Sequence, residues 1–571
     1  MSSLISAVSW VRRGVALQNP SKYVLDDKEL ERVSALARIE LEDAQVELKR
    51  AHEAAKSMGQ GDDIEVLDGE GDADEDDGNW VDEDDDAMDV DSEAPKPPTQ
   101  EPSAEAKTND DDLSKYNLDD YDDDGPGDSI SHFSNINNIA VYKNNDEDPY
   151  ITLKEDDAEN ERTELEVLPS DNLLVVAKTE DEISQLEIYV YEESEANLYV
   201  HHDLMLPNFP LCLEWLDFPP ASSSSNNDPT NSGLGNYIAV GTLDPEIEIW
   251  SLDVVEAMYP NTVLGRPDKT KAHIPVPLGT GKKKKKKTKS RQVEKAYHVD
   301  AVLGLSWNKK QRNLLASASA DRTVKLWDLS RDPTISGGEG GALRSFDVHK
   351  DKVQAVQWNE KDPAVLLTGS YDRTVRTFDT RSPDTGVGAF LGSDVEALEV
   401  GSMARVSLES GIVLNFDVRN LSSNSNQDID HPSPPIFTLQ AHTGAASSLD
   451  VNPHIRGCIV TGGSDKMVKV WNVEESDEKH HVSLVNSRDL GVGKVFSTTF
   501  SPESDSPLTL AAGGSKAKLQ IWDVGANREA RKAFAGKLRE AGKMLKENKE
   551  GDGGVVGLVS DGEESDDEDD E

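Results

Sequence analysis

Three histidines in this chain recur with the same partners, a hydroxyl residue and an aspartate, which are the residue types of a catalytic triad. In each copy the hydroxyl residue follows the histidine by 19 positions, the aspartate by 23 and an aromatic residue by 29. The copies are His298, Ser317, Asp321 and Trp327; His349, Thr368, Asp372 and Phe378; and His442, Thr461, Asp465 and Trp471. In a triad the histidine takes the hydroxyl proton and the carboxylate orients the histidine.

Repetition of the pattern favours a structural role, because an enzyme rarely needs three copies of its site. A buried chain of His, hydroxyl and Asp is stable when every member has a hydrogen-bond partner, and it then ties neighbouring strands together. Short alternating apolar runs surround each set. After His298 the residues 302–307, 314–317 and 324–327 predict three strands, with Asp321 on the tight turn between the last two.

A unit of this size that ends in Trp-Asp, as at Trp327-Asp328 and Trp522-Asp523, resembles the WD40 repeat, one blade of a β-propeller. That resemblance implies that the aspartate accepts from the histidine, and that the hydroxyl contacts both the histidine and the Trp indole. Four weaker units bring the candidate blades to seven, over roughly residues 137–525. The unit at Gly493 lacks an outer strand after Trp522, and we expect residues 138–142 or 150–153 to supply it.

Composition predicts a large β-domain with solvated extensions. The 571 residues carry a net charge of −51, with 36% hydrophobic and 6% aromatic residues. The two cysteines, Cys212 and Cys458, lack the spacing of a disulfide framework or a zinc site, which favours a reducing intracellular compartment. No apolar run is long enough to span a bilayer, and we expect no membrane partner. A calcium-loop pattern at residues 120–131 has Ser131 where Glu is needed, so no metal or cofactor is predicted.

Negative charge is concentrated in two segments. Residues 62–93 contain eighteen acidic residues and no Lys or Arg, and residues 561–571 contain nine acidic residues. Such blocks repel themselves and remain disordered. They either keep the chain soluble or dock onto basic proteins or basic patches of the chain itself. Ser560 and Ser565 lie in Ser-Asp-Gly-Glu and Ser-Asp-Asp-Glu contexts that resemble sites of acidophilic kinases such as casein kinase 2.

Positive charge is concentrated in an insertion and in a C-terminal helix. The insertion contains Lys282, Lys283, Lys284, Lys285, Lys286 and Lys287, which suit a nuclear import signal or contacts with nucleic-acid phosphates. Residues 527–546 predict an amphipathic helix with a basic polar face. We expect this helix to pack on the propeller rim or to lie along ribosomal RNA. A second helix, at residues 26–57, is predicted to be exposed.

The N-terminus resembles the periodic tryptophan protein 1 family. Residues 5–16, Ile-Ser-Ala-Val-Ser-Trp-Val-Arg-Arg-Gly-Val-Ala, carry this resemblance, which continues through residues 115–121 and the propeller to Trp522. Departures include Phe378 and Phe416 in place of Trp. The resemblance implies a nuclear, largely nucleolar protein that assists transcription and processing of ribosomal RNA, with pre-ribosomal proteins and rRNA as partners.

These observations predict an all-β fold, a seven-bladed WD40 β-propeller with helical and disordered acidic terminal extensions. The predicted parts are a partner-docking segment at 1–25, an exposed helix at 26–57, an acidic disordered linker at 58–136, the propeller at 137–525 with a lysine-rich loop at about 260–296, a basic helix at 526–548 and an acidic disordered tail at 549–571. Trp10, Arg12 and Arg13 are the expected docking residues, although Trp10 could instead fold back onto the propeller.

Two functions other than ribosome assembly can be compared with the same residues. A chromatin adaptor that reads histone tails is compatible with acidic segments and a propeller face. A hydrolase would need a nucleophile, metal or phosphate motif, and none stands out in the sequence. The sequence therefore predicts a non-catalytic scaffold with no small-molecule substrate.

Overall fold

The computed structural model describes residues 3–24, 30, 160, 162–181, 183–221, 234–265, 293–331, 341–400, 403–417, 434–475, 480–542 and 554–558. Their strands form seven antiparallel four-stranded sheets and one two-stranded parallel sheet. The inner strands of the seven large sheets contact one another in a closed circle. The predicted seven-bladed β-propeller is thereby confirmed.

Each blade has four strands, which run in the following order from the inner to the outer strand. Blade 1 contains β1 Ser3–Val11, β3 Asn172–Glu180, β4 Ile183–Glu192 and β5 Asn197–Leu206; blade 2 contains β6 Pro210–Leu216, β7 Tyr237–Thr242, β8 Ile247–Ser251 and β10 Thr262–Leu264. Blade 3 contains β11 Val302–Trp307, β12 Leu314–Ser319, β13 Val324–Asp328 and β14 Arg344–Phe346; blade 4 contains β15 Val353–Trp358, β16 Val365–Ser370, β17 Thr374–Asp379 and β18 Ser382–Phe390.

The remaining blades follow the same order. Blade 5 contains β19 Val395–Val400, β20 Ala404–Leu408, β21 Ile412–Phe416 and β22 Phe437–Gln440; blade 6 contains β23 Ser448–Val451, β24 Cys458–Gly462, β25 Met467–Glu475 and β26 His480–Asp489. Blade 7 contains β27 Val495–Phe500, β28 Thr509–Gly514, β29 Gln520–Asp523 and β30 Val555–Gly557. The parallel pair is β2 Ser21–Lys22 with β9 Val254–Val255.

The N-terminal segment is a propeller strand, which corrects the prediction of a separate docking segment at residues 1–25. β1 pairs antiparallel with β3 from Ser3 to Val11, and it is the inner strand of blade 1. Ile5, Val8 and Trp10 are buried against blade 7 residues such as Ala511 and Ile521. A short apolar strand cannot form a core alone, and pairing with β3 both buries it and satisfies the edge of that strand. The propeller therefore includes residues outside the expected 137–525 range.

The outer strand of blade 7 comes from the C-terminus, contrary to the prediction that residues 138–142 or 150–153 would supply it. β30 pairs with β29, with Val555 opposite Trp522 and Gly557 opposite Gln520. Both predicted segments lie outside the described residues. The predicted disordered tail at 549–571 therefore contains a strand, and the predicted loop at about 260–296 likewise begins with the strand Thr262–Leu264.

A helix lies between the third and fourth strands of blade 7. Helix α1 spans Arg528–Glu540. Asn527 caps its N-terminus, and the Asn527 side chain accepts the Glu529 backbone N–H. Its apolar side, Ala530, Phe534 and Leu538, is buried in the cluster shared by blades 6 and 7. The helix thus packs on the propeller rim, as one of the two predictions from its sequence states. Among the described residues, no helix is both long and apolar enough to cross a bilayer.

The two ends of the blades can be distinguished by their connections. His298, His349 and His442 lie on connections between blades, and Asp321, Asp372 and Asp465 lie on the turns between second and third strands. Hydrogen bonds join each histidine to its aspartate, so these connections and turns share one end of the propeller, which we call the network face. The hairpins between inner and second strands lie at the opposite face.

Candidate functional site

The His298 set forms a continuous hydrogen-bonded chain inside blade 3. His298 Nδ1 lies 2.9 Å from Asp321 Oδ2, and Nε2 lies 2.7 Å from Ser317 Oγ. The Trp327 indole N–H donates to Ser317 Oγ at 2.8 Å. An ionised carboxylate only accepts, so the histidine proton is on Nδ1 and Nε2 accepts the serine O–H. Every member therefore has a partner.

The sets in blades 4 and 6 have nearly the same geometry. His349 lies 3.0 Å from Asp372 and 2.8 Å from Thr368, and His442 lies 2.9 Å from both Asp465 and Thr461. In blade 6 the Trp471 indole donates to Thr461 Oγ1 at 2.9 Å. Phe378 has no N–H to donate in blade 4. The Thr368 hydroxyl of that blade also lies 3.3 Å from the Arg376 carbonyl, which is a hydrogen-bond acceptor.

These sets differ from catalytic triads in their burial and not in the distances between their side chains. The distances match those of a nucleophile, base and orienting carboxylate. His298 and Ser317 are, however, 0% exposed, so no substrate can reach the hydroxyl. In blades 3 and 6 an indole N–H also donates a hydrogen bond to the hydroxyl oxygen. The three sets hold strands together and are not catalytic sites.

Burial and hydrogen bonding act in opposite directions on these groups. Burial lowers the pKa of His298, His349 and His442, which keeps the imidazoles neutral near pH 7. Burial raises the pKa of Asp321 and Asp372, but their hydrogen bonds with the histidines and with Thr323 and Thr374 outweigh it. The pKa of both carboxyls therefore lies below the usual range, and they remain ionised.

A ring of polar residues, the inner ring, occupies the same register position on all seven inner strands. Its members are Ser9, Glu214, Ser306, Gln357, Glu399, Asp450 and Thr499. Several accept a hydrogen bond from a backbone N–H of the next blade. Glu214 accepts from Trp307 at 2.9 Å, Ser306 from Trp358 at 3.2 Å, and Asp450 from Phe500 at 2.6 Å. The inner ring thus links blades to one another.

The carboxyl groups of the inner ring are recessed and poorly solvated. Burial raises the pKa of Glu214 to about 7, although the Trp307 N–H and Lys309 partly oppose it. Burial also raises the pKa of Glu399 and of Asp450, which interact with each other. Alignment of the blades by their strands would have revealed this ring from the sequence, whereas the composition of one strand does not.

The three predicted docking residues have different environments. Trp10 is 7% exposed, and its indole N–H donates to the Thr499 carbonyl at 3.2 Å. Arg13 donates to Asn172 Oδ1 at 2.8 Å, and its backbone N–H donates to Glu503. Arg12 is exposed. Trp10 and Arg13 therefore join blades 1 and 7, which corrects their assignment to a partner, and only Arg12 remains accessible.

Helix α1 presents part of its basic face to solvent. Lys537 is engaged, since its ammonium donates to the Val473 carbonyl at 2.8 Å and also contacts Asn472. Arg528, Lys532 and Arg539 are exposed. Lys543 and Lys546 lie outside the described residues. The helix is anchored by its apolar side, and its exposed cations are accessible to an anionic partner.

Several predicted sites lie outside the described residues. They are the import or phosphate-contact lysines, Lys282, Lys283, Lys284, Lys285, Lys286 and Lys287, and the candidate phosphorylation sites Ser560 and Ser565. The helix expected at 26–57 and the acidic linker at 58–136 lie outside them as well, except for Leu30. In the part of the chain that the structure describes, no group of three or more His, Cys, Asp or Glu side chains could hold a metal ion.

Blade 7 keeps the tryptophan of the repeat but not its network. At 29, 10 and 6 residues before Trp522, where blades 3, 4 and 6 have His, Ser or Thr, and Asp, the chain has Gly493, Ala512 and Lys516. A Cβ on Gly493 would lie 3.1 Å from the Lys516 side chain, so the two residues are adjacent. The same offsets would have exposed this departure in the sequence.

Comparisons with known proteins agree with this architecture. The family model described as WD domain, G-beta repeat, matches residues 292–328, 340–379 and 433–472. Periodic tryptophan protein 1 of Saccharomyces cerevisiae is 35% identical over 95% of this chain and 92% of its own length. The chain belongs to the periodic tryptophan protein 1 family. The Drosophila melanogaster homolog is 28% identical over 93% of this chain and 96% of its own length.

A WD repeat-containing protein of Schizosaccharomyces pombe is 38% identical over 94% of this chain and 92% of its own length. Similarity of this extent covers most of the chain and is not confined to the three strong repeats. As a WD40 member of the periodic tryptophan protein 1 family, the chain is a scaffold protein with a propeller as its interaction platform.

Proposed function

We propose that this scaffold acts in ribosome biogenesis, in the transcription and processing of ribosomal RNA and in assembly of large-subunit precursors. The proposed partners are pre-ribosomal proteins and rRNA, and the proposed location is the nucleus and nucleolus. The chain acts without catalysis: it holds other molecules on its propeller faces and extensions.

The observation that carries the proposal is the match to the periodic tryptophan protein 1 family over 95% of this chain, because a WD40 propeller alone specifies only a fold. Two features of the molecule support it. The exposed cations Arg528, Lys532 and Arg539 on α1 can contact phosphates, and the lysines at 282–287 suit nuclear import or RNA contact. The inaccessible His networks support a role without catalysis.

Crosslinking of the tagged chain to RNA in cells, followed by sequencing, tests this function together with affinity purification. We expect crosslinks in precursor regions of large-subunit rRNA, co-purified pre-ribosomal proteins and sedimentation with pre-ribosomal particles. Depletion of the chain should cause large-subunit RNA precursors to accumulate. Normal precursor levels after depletion, with histones as the main co-purified proteins, would instead support a chromatin adaptor.

Two variants separate a binding defect from a folding defect. Arg528, Lys532 and Arg539 changed together to Gln remove exposed charge, whereas His349→Ala weakens a buried network. If α1 contacts RNA, the triple variant should lose crosslinks with an unchanged melting temperature. His349→Ala should lose crosslinks only in proportion to the unfolded fraction.

A further inference from the structure

Four exposed lysines lie together on the network face of blades 6 and 7; they are Lys466, Lys494, Lys516 and Lys518, and we call them the lysine surface. They come from three adjacent connections. The Lys494 N–H donates to Ser515 Oγ and the Ser515 N–H donates to the Lys494 carbonyl, both at 2.9 Å. The Val495 N–H donates to the Gly463 carbonyl at 3.2 Å, which joins the turn of Lys466 to the same group.

These lysines have no acidic partner among the described residues. Within that part of the chain no ion pair involves any of the four, whereas Arg373 on the equivalent turn of blade 4 pairs with Asp394 at 3.2 Å. The carboxylates nearest in the chain are engaged elsewhere: Asp465 bonds to His442, Asp489 accepts the Gly491 N–H, and Asp523 accepts the Gly525 N–H. The lysine surface exists because blade 7 has Lys516 where the repeat places an aspartate.

The acidic C-terminal segment leaves the propeller beside this surface. β30 runs towards the network face, and its last residue, Gly557, is paired with Gln520, which is two residues from Lys518. Leu558 follows and is 47% exposed. The chain then continues for thirteen residues, 559–571, nine of which are acidic.

We propose that residues 559–571 dock on the lysine surface of the same molecule and cover it. The surface is thus an anion-binding site whose occupant in the free protein is this chain's own acidic C-terminus. An external polyanion, such as an acidic protein or a nucleic-acid backbone, must displace that segment to reach the lysines. The inference is independent of the proposed role in ribosome biogenesis.

Reach and charge favour this occupant over a separate molecule. The outer and inner strands of one blade are about 14 Å apart at a strand spacing near 4.8 Å, so four extended residues from Gly557 cover that distance. Covalent attachment gives the segment an effective concentration on the order of millimolar. Hydrogen bonds between the three connections hold the four lysines on neighbouring loops, so their positive charges act together on one polyanionic segment. Phosphorylation at Ser560 and Ser565 would add negative charge and strengthen docking.

Acetylation of lysines by a water-soluble reagent, read residue by residue by mass spectrometry, tests the proposal. The full chain is compared with a variant ending at Leu558 and with a full-length variant whose nine acidic C-terminal residues are Asn or Gln. We expect both variants to show acetylation of Lys494, Lys516 and Lys518 at least threefold faster than in the full chain. Lys361, exposed on the opposite face, should be unchanged and serves as the internal control.

Zero-length carbodiimide crosslinking provides a second readout on the unaltered chain. Crosslinks should join acidic residues of 561–571 to the lysine surface and disappear in 0.5 M salt. Equal acetylation in all three proteins, or tail crosslinks concentrated on Lys282–Lys287, would overturn the proposal. Because the full-length neutral variant keeps β30 and its length, a folding defect of the truncation cannot imitate either result.

Discussion

The Trp10 indole N–H donates to the Thr499 carbonyl at 3.2 Å, although the two residues are 489 positions apart in the sequence. Val8 makes a parallel contact, since its backbone N–H donates to Ser497 Oγ at 3.1 Å. The propeller ring is therefore closed by β1, Ser3–Val11, which is the inner strand of blade 1 and contacts the inner strands of blades 7 and 2.

Removal of that closure should destabilise the whole propeller. We expect Trp10→Ala to lower the free energy of unfolding by about 3–5 kcal/mol, because a large buried side chain leaves a cavity and the Thr499 carbonyl loses a donor. Urea unfolding followed by tryptophan fluorescence measures this. Arg12→Ala, at an exposed neighbour, should change stability by less than about 0.5 kcal/mol. A stable, folded protein lacking residues 1–11 would contradict the closure.

The buried networks should behave as structure. His349→Ala or Asp372→Ala should lower the free energy of unfolding by about 1–3 kcal/mol, because each leaves a buried polar partner unsatisfied. Partner binding should fall only as folding falls. Lys350→Ala, next to His349 but exposed, is the matched control. Unchanged thermal melts with loss of binding would instead identify these residues as a binding site.

The sequence predicts the blades where the repeat is strong but does not predict the strand pairings between distant segments. The offsets of His298, Ser317 and Asp321 are local, since a blade folds its own strands against one another. The partner of β1 lies about 170 residues away, with Ala177 opposite Ala7, and no local pattern specifies such a pairing. The outer strand of blade 7 is only three residues long, which is too short for an alternating pattern to identify.

Of the two basic surfaces, the sequence predicts the one on helix α1, because it depends on local spacing. Amphipathic spacing places Phe534 and Leu538 on one side of α1, and both are buried. The lysine surface has no such signature, because Lys466, Lys494 and Lys516 are brought together by three connections from two blades. Only the departure of blade 7 from the repeat offsets points to it in the sequence.

Helix α1 should be a fixed part of the rim. Phe534 is 0% exposed in the cluster that joins blades 6 and 7, so Phe534→Ala should cost about 3–5 kcal/mol of stability. Lys532→Ala, on the exposed side of the same helix, should be nearly neutral. Hydrogen exchange across residues 528–540 measures the helix directly. Fast exchange in the unaltered protein would show that the helix is not held on the rim.

The lysine run at 282–287 should direct the chain to the nucleus without contributing to the fold. Replacement of all six residues by Ser should leave the melting temperature unchanged, because the strands on either side, Thr262–Leu264 and Val302–Trp307, pair within their own blades. Nuclear accumulation of a fluorescent fusion should fall. Unchanged localisation with weaker and less salt-sensitive RNA binding would favour phosphate contact over import.

Ionisation of the buried Glu214 carboxyl should make the propeller less stable as the pH rises. Burial raises its pKa to about 7, above the value of an unfolded chain, so its stabilising contribution is complete below pH about 4.5 and is lost as the pH rises through about 7. Glu214→Gln keeps an oxygen for the Trp307 N–H and removes the titration. The variant should therefore be more stable than the unaltered protein at pH 8, by on the order of 2 kcal/mol, with the difference shrinking towards pH 5.

Urea unfolding of both proteins at intervals from pH 5 to 8 measures this difference, and the buried histidines affect both proteins equally. A difference that stays constant across that range would show that Glu214 does not titrate in the folded protein.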